Sequence, residues 1–194
     1  MKKFLHPKVI VPVVIVGGIL FAVGLYVFQP WKLFTTVEVY EAVPTSAEEV
    51  LNPVTEEPAV EESTEEASIV EEPAAPAEPV VLEEGTFISH EHSTSGTVKI
   101  LELPDGSRVL RLENLETSDG PQLEVWLTDA PVIDGVDGWG VFDDGKYVSL
   151  GALKGNVGDQ NYMIPDDVNL DDFSSVSIWC ARFNVSFGAA ELNS

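Results

Sequence analysis

The sequence has only one cysteine, Cys180, and few basic residues, with 10 lysines and arginines against 33 acidic residues. A single cysteine excludes an intrachain disulfide framework and any CxxC redox or zinc motif. The formal net charge of −23 excludes a nucleic-acid-binding protein, because such proteins need basic surface to meet phosphates. No Ser–His–Asp spacing and no phosphate-binding glycine loop is legible, so the sequence gives no sign of an enzymatic turnover site.

The charges are unevenly distributed along the chain. Residues 1–32 carry four lysines and no acid, and residues 33–84 carry fifteen glutamates and no base. Residues 85–194 carry eighteen acids against six bases. This division indicates a basic N-terminus, an acidic connecting segment and a separate folded part.

Residues 9–28 form an uncharged apolar run, and about 20 such residues span the hydrocarbon core of a bilayer as a helix. The run is longer than the apolar region of a cleaved secretory signal, and bulky residues follow it, so we predict an uncleaved transmembrane anchor. Three lysines precede the run and Lys32 follows it. The positive-inside rule therefore places residues 1–8 in the cytoplasm and the rest of the chain outside the cell membrane.

Residues 29–84 are rich in proline, glutamate and alanine. Such a segment buries too little apolar surface to offset its conformational entropy, so we predict a disordered acidic linker. Proline and like charges extend a linker. We interpret it as a stalk that carries the folded part away from the bilayer, with a solubilising spacer as the alternative.

The remaining residues, 85–192, alternate between short β-rich runs and turn signals, and no helical period is evident. This pattern predicts an all-β fold, a single antiparallel β-sandwich or barrel-like domain. PDGS between two of the runs predicts a hairpin. The predicted strands are Gly85–His90, Thr97–Leu103, Arg108–Asn114, Leu123–Leu127, Tyr147–Leu150, Tyr162–Ile164 and the stretch Ser175–Gly188.

We interpret Ser175–Gly188, SVSIWCARFNVSFG, as one strand that enters the core and leaves it. Alternation would place Trp179, Phe183 and Phe187 on one face of that strand. Cys180 would lie on the other face, at the point where that face changes from apolar to polar.

The motifs GTFISHEHSTSGTVKI, LKGNVGDQNYMIP and SVSIWCARFNVSFG resemble the DM-thirteen electron-transfer domain family. That domain also occurs in Skeletor-type matrix proteins, beside DOMON domains. The resemblance covers residues 85–192 and leaves out the apolar run and the acidic linker. It implies a β-rich extracytoplasmic domain with a redox role centred on Cys180, either as a naked thiol or as a ligand to a prosthetic group such as haem.

Cys180 has three open interpretations: a reactive thiol, a ligand to haem or a soft metal such as copper, and a small core filler. Arg182 is the nearest cation in sequence and would lower the thiol pKa modestly. His90 and His92, two residues apart, would face the same way on a strand, as in copper and zinc sites. A His92–Cys180 pair would form a mononuclear site if their strands adjoin. We expect Lys154 to be a surface or partner-binding charge.

Two functions follow from these observations. The first is a membrane-anchored extracytoplasmic redox or electron-transfer module centred on Cys180, whose acidic surface would attract a cationic redox protein. The second is a non-catalytic cell-envelope module that binds an envelope component, with Cys180 as a structural core residue. Because function lies in the site rather than in the fold, the fold alone does not separate them.

Overall fold

The structure, a computed structural model, describes residues 7–52 and 78–193. The apolar run forms helix α1, Pro7–Phe28, and a short 3-10 turn, Pro30–Phe34, follows it. Val11–Phe28 has a mean hydropathy of 2.5. Within the described ranges, α1 is the one helix whose length and composition would let it cross a membrane.

The rest of the described chain forms ten strands, a short helix, α2, Ala47–Leu51, and two further 3-10 turns, Val136–Gly138 and Leu170–Asp172. The strands are β1 Glu38–Tyr40, β2 Val80–Thr86, β3 Ile88–Ser89, β4 Ser95–Glu102, β5 Arg108–Glu116, β6 Leu123–Thr128, β7 Tyr147–Ala152, β8 Val157–Ile164, β9 Ser175–Cys180 and β10 Val185–Glu191.

These strands form two five-stranded sheets. The first sheet has the order β1-β8-β5-β4-β2 and the second has the order β3-β10-β9-β6-β7. All neighbouring strands are antiparallel except β1 and β8, which run parallel. Buried apolar side chains from both sheets share one core, which contains Val98 and Leu110 of the first sheet and Val125 and Ile178 of the second. The predicted all-β sandwich is confirmed, and we call it the head.

The hairpin predicted at PDGS joins β4 to β5. Its turn closes with the Gly106 amide donating to the Leu103 carbonyl oxygen at 2.9 Å. Gly106 has a φ of +83°, a conformation that glycine adopts without the steric cost that a Cβ brings. Local turn chemistry therefore sets the register of this pair.

The interpretation of Ser175–Gly188 as one strand is wrong. The stretch is a hairpin, because β9 ends at Cys180 and the chain turns through residues 181–184 before β10 begins. Asn184 supports the turn with a left-handed φ of +51°, which asparagine tolerates better than most residues. As a result Trp179 lies on the outer face of the second sheet, whereas Phe187 points into the core between the sheets.

The folded part also begins earlier than the sequence indicates. Residues 38–40 form β1 on the edge of the first sheet, and Val50 of α2 is buried against the outer face of that sheet. Residues 80–84 lie in β2. The structure thus differs from a linker spanning residues 29–84 at both of its ends, and residues 53–77 lie outside the described residues.

Candidate functional site

Cys180 is the last residue of β9, and its side chain points into the core between the sheets. The side chain has no exposed surface. Its thiol donates a hydrogen bond to the Pro121 carbonyl oxygen at 3.2 Å. Burial raises the pKa of the Cys180 thiol, because the thiolate loses its hydration there. In this conformation the residue is a neutral thiol rather than a nucleophile.

The surroundings of Cys180 do not fit a haem or a soft metal ion. Either group would need space beside the sulfur and at least one more donor, but the sulfur is enclosed by the core and bonded to Pro121. Within residues 7–52 and 78–193, no three histidine, cysteine, aspartate or glutamate side chains are grouped so that they could hold a metal ion.

His90 lies just after β3 and is buried beneath the loop that contains Ile133. Its Nδ1 is 2.9 Å from the Ser186 hydroxyl, and its Nε2 is 3.2 Å from the Ile133 carbonyl oxygen. Burial lowers the pKa of His90, although the bond to the carbonyl opposes this effect. Both ring nitrogens are thus engaged in holding the 133 loop to β10.

His92 has a different environment from His90, because β3 ends at Ser89 and strand alternation does not continue. The His92 ring lies against Phe187, with 3.9 Å between ring centroids. Burial lowers its pKa, and the nearby Glu91 carboxylate opposes that shift. The two imidazoles therefore do not form the predicted pair on one strand face.

β3, the strand that the histidines follow, is not a neighbour of β9, the strand that ends at Cys180. β10 lies between β3 and β9 in the second sheet, and neighbouring strands are about 4.8 Å apart, so the backbones of β3 and β9 are separated by roughly 10 Å. The structure does not bring His92 and Cys180 together as neighbours on adjacent strands.

Arg182 lies in the β9–β10 turn and binds the end of α1. Its Nη1 donates to the carbonyl oxygens of Tyr26 and Val27, each at 3.0 Å, and its Nε donates to Gln122 at 2.9 Å. The last carbonyls of a helix lack partners inside the helix and carry partial negative charge. A guanidinium placed there caps the helix and attaches the head to it.

A second set of contacts attaches the segment after α1 to the head. Lys32 Nζ lies 3.1 Å from the Asp119 carboxylate and donates to the Gly120 carbonyl oxygen at the same distance. The Thr35 hydroxyl donates to Asp119 at 2.6 Å. The head therefore lies directly beside the C-terminal end of α1.

Residues 38–42 are held to the head by a largely buried ion pair. Lys154 Nζ donates to the two Glu41 carboxylate oxygens at 2.7 and 2.9 Å, and the Asn161 amide donates to Glu41 at 2.6 Å. Arg111 donates to the Glu41 and Ala42 carbonyl oxygens at 3.0 and 3.1 Å. The sequence predicts a surface or partner-binding charge at Lys154; its ammonium group is instead bonded to this carboxylate of the same chain.

An aromatic stack covers the outer face of the second sheet, and sequence reasoning missed it. Trp126 lies parallel to Tyr147, with 4.0 Å between centroids and an interplanar angle of 3°. On its other side Trp126 packs against Trp179 at 5.1 Å. We call Tyr147, Trp126 and Trp179 the aromatic stack. Because Trp126 pairs with Ser149 on β7 and with Ser177 on β9, its two aromatic partners are its diagonal neighbours.

The available sequence signal for the stack was one aromatic residue in each of three strands. Finding it required knowing that β6 lies between β7 and β9, which no local pattern reveals. The same is true of the Glu41–Lys154 pair, whose members are separated by 113 positions.

A comparison with protein-family models places these sites in a known domain. Residues 86–192, more than half of the chain, match the model described as Electron transfer DM13. The chain belongs to this family. The matched region contains strands β3 to β10 of the head, including Cys180 and the aromatic stack, whereas α1, β1, α2 and all of β2 except Thr86 lie outside it. Comparisons with curated proteins and with solved structures found no match.

Proposed function

We propose that this DM13 protein is a single-pass, membrane-anchored module of extracytoplasmic electron transfer. The observation that carries the proposal is the electron-transfer family match over residues 86–192, which include eight of the ten strands of the head. The apolar helix attached to that head supports anchoring. The lysines before the helix favour an N-terminus in the cytoplasm and a head outside the membrane.

The proposed partner is a cationic redox protein. Residues 85–194 carry eighteen acids against six bases, and an acidic surface raises the rate of encounter with a positively charged partner. The rate of electron transfer with such a partner should fall as salt concentration rises, because salt screens exposed charges.

Within this proposal, Cys180 is the candidate redox residue, acting as a protonated thiol that becomes accessible only when its cover moves. Its cover would be Pro121, whose carbonyl oxygen accepts the thiol hydrogen bond, and the turn of residues 181–184, which directly follows Cys180. Exchange with an outside disulfide, in which the Cys180 thiolate attacks one sulfur and the other leaves as a thiolate, requires opening of this cover and loss of the thiol proton. The closed head meets neither condition, so we expect the rate of opening to limit the reaction.

The burial of Cys180 also favours a second candidate function, an envelope-binding module in which the cysteine only fills the core. A buried free cysteine behaves as a small apolar residue. The two functions differ in whether the head exchanges electrons at all and in whether the sulfur is needed for that exchange.

The test compares the full chain with its Cys180→Ser and Cys180→Ala variants in a nonionic detergent. Protein-film voltammetry should give a reversible wave for the wild type, and both replacements should abolish it if the sulfur is the redox centre. A wave that persists in both folded variants would remove Cys180 from the mechanism but retain electron transfer. A wild type without a wave, with a thiol that reacts only after denaturation, would overturn the proposal in favour of the binding module.

A further inference from the structure

The aromatic stack has a geometry suited to one-electron chemistry. Trp126 is nearly buried between Tyr147 and Trp179, with stacked rings on both sides. Contact between π systems spreads the charge of an oxidised ring over its neighbours, which makes loss of an electron easier. Tyr147 is 47 % exposed, so one end of the stack reaches the surface, while the other end, Trp179, directly precedes Cys180.

A carboxylate is placed to receive the proton that an oxidised indole releases. Trp126 Nε1 donates a hydrogen bond to Glu124 Oε2 at 2.8 Å, and the Ser149 hydroxyl donates to the same oxygen at 2.7 Å. A tryptophan radical cation is far more acidic than tryptophan and loses the Nε1 proton to a nearby base. A buried indole N–H needs a hydrogen-bond acceptor in any fold, but a carboxylate, unlike a carbonyl or hydroxyl oxygen, is also basic enough to take the proton.

The surface around the exposed end of the stack is acidic and favours a positively charged oxidant. Asp143 and Asp144 are exposed and precede Tyr147 by only a few residues. Lys146, the one base between them and Tyr147, is paired with Asp172 at 3.2 Å. This edge of the second sheet should therefore attract a positively charged reagent.

We propose that the aromatic stack, with Glu124 as its proton acceptor, is a one-electron redox site that exchanges electrons with a cationic, strongly oxidising metal or haem carrier at Tyr147. The oxidised carrier gains one electron and the stack loses it. The Nε1 proton of Trp126 passes to the Glu124 carboxylate, which leaves a neutral tryptophanyl radical and a neutral carboxylic acid. One electron from the reduced form of such a carrier, together with return of that proton, restores the resting state.

This inference rests on the proposed electron-transfer function and places the redox site in the aromatic stack instead of at Cys180. The test uses the full chain in nonionic detergent and tris(bipyridine)ruthenium(III), a cationic one-electron oxidant formed by a laser flash with a cobalt(III) ammine as the electron acceptor. Transient absorption distinguishes a neutral tryptophanyl radical from its radical cation and from a tyrosyl radical.

We expect the wild type to form the neutral tryptophanyl radical. Trp126→Phe should lose most of that signal, whereas the matched change Trp139→Phe, in a loop outside the stack, should retain it. Glu124→Gln keeps the shape of the side chain but removes the base, so the radical should persist as the cation. Glu116→Gln, an exposed glutamate on the first sheet, should leave the neutral form unchanged. A stack in which Glu124 does not receive the Trp126 proton would give the same spectrum in the wild type and in Glu124→Gln.

An undiminished signal in Trp126→Phe, or a neutral radical in Glu124→Gln, would overturn the inference. If Trp126→Phe does not fold, the spectrum of Glu124→Gln is sufficient to test the inference, because this change preserves the packing of the rings. A voltammetric wave that survives in these variants would refute the stack as the redox site while the proposed function stands. A radical on Trp126 in a protein without a reversible wave would instead refute electron transfer as the function, and with it this redox site.

Discussion

Replacing Glu41 by glutamine tests whether residues 38–42 belong to the head. The change removes the charge that bonds to Lys154 at 2.7 Å and that accepts the Asn161 amide at 2.6 Å. Breaking a buried ion pair from one side costs about 3–5 kcal/mol. The Lys154 side chain is 31 % exposed and the Glu41 side chain 5 %, so solvent offsets part of that cost, and we expect a loss of about 2–3 kcal/mol.

The assay is thermal unfolding of the full chain in detergent, followed by tryptophan fluorescence. For a domain of this size, the expected loss corresponds to a fall in Tm of roughly 10 °C. Glu38→Gln is the matched control, because Glu38 is an exposed residue of the same strand, and its effect should stay within about 0.5 kcal/mol. Equal Tm values for the two variants would refute the docking of this segment on the head.

Three further predictions concern the fold and its attachment to the helix. Gly158→Ala should destabilise the head by about 1–3 kcal/mol in urea unfolding, because φ is +109° and a Cβ would collide with a β1 carbonyl. Gly151 also has a positive φ, but a Cβ there would meet open space. If Gly151→Ala lowers the free energy of unfolding as much as Gly158→Ala does, the collision is not the cause. Arg182→Ala frees the carbonyls at the end of α1 and should speed limited proteolysis of the segment after the helix, whereas an unchanged rate would mean that the guanidinium does not hold the head there. Burial lowers the pKa values of His90 and His92, so the unfolded chain binds protons first as pH falls below about 6.5, and stability should decrease there. The check is the midpoint of urea unfolding at about pH 7.5 and at about pH 5.5. An equal or higher midpoint at the lower pH would contradict the prediction. So would a His90→Gln variant whose midpoint falls as much as that of the wild type.

The elements predictable from the sequence are those fixed by local chemistry. The β4–β5 hairpin follows from alternation on both sides of PDGS, and its observed turn closes at Gly106 as turn propensities require. Strand β6 follows from the alternation in LEVWL. In each case the residues that decide the structure are neighbours in the chain.

The hairpin at Ser175–Gly188 was not predictable in the same way. Its turn, residues 181–184, contains neither glycine nor proline, so nothing interrupts the alternating pattern. The turn is stabilised from elsewhere, because Arg182 is bonded to Gln122 and to the end of α1. A tertiary contact therefore overrides a local preference for continued strand.

The candidate site was predictable only as a set of residue types. Cys180, His90 and His92 are the residues that soft metals prefer, and this chemistry is legible from the sequence. That β3 and β9 are not neighbouring strands depends on β10 lying between them, a consequence of chain topology. The aromatic stack depends in the same way on β6 lying between β7 and β9.

Residues 30–52 are attached to the head, and this attachment bears on the interpretation of residues 29–84 as a stalk. The chain leaves α1, pairs with Asp119 through Lys32 and enters the first sheet at β1, so these few residues already connect helix and head. Residues 53–77 follow α2 and precede β2, and both of these elements pack on the first sheet. Their length therefore does not determine how far the head lies from α1. If the head transfers electrons as proposed, its attachment to the end of α1 would place that transfer close to the helix end.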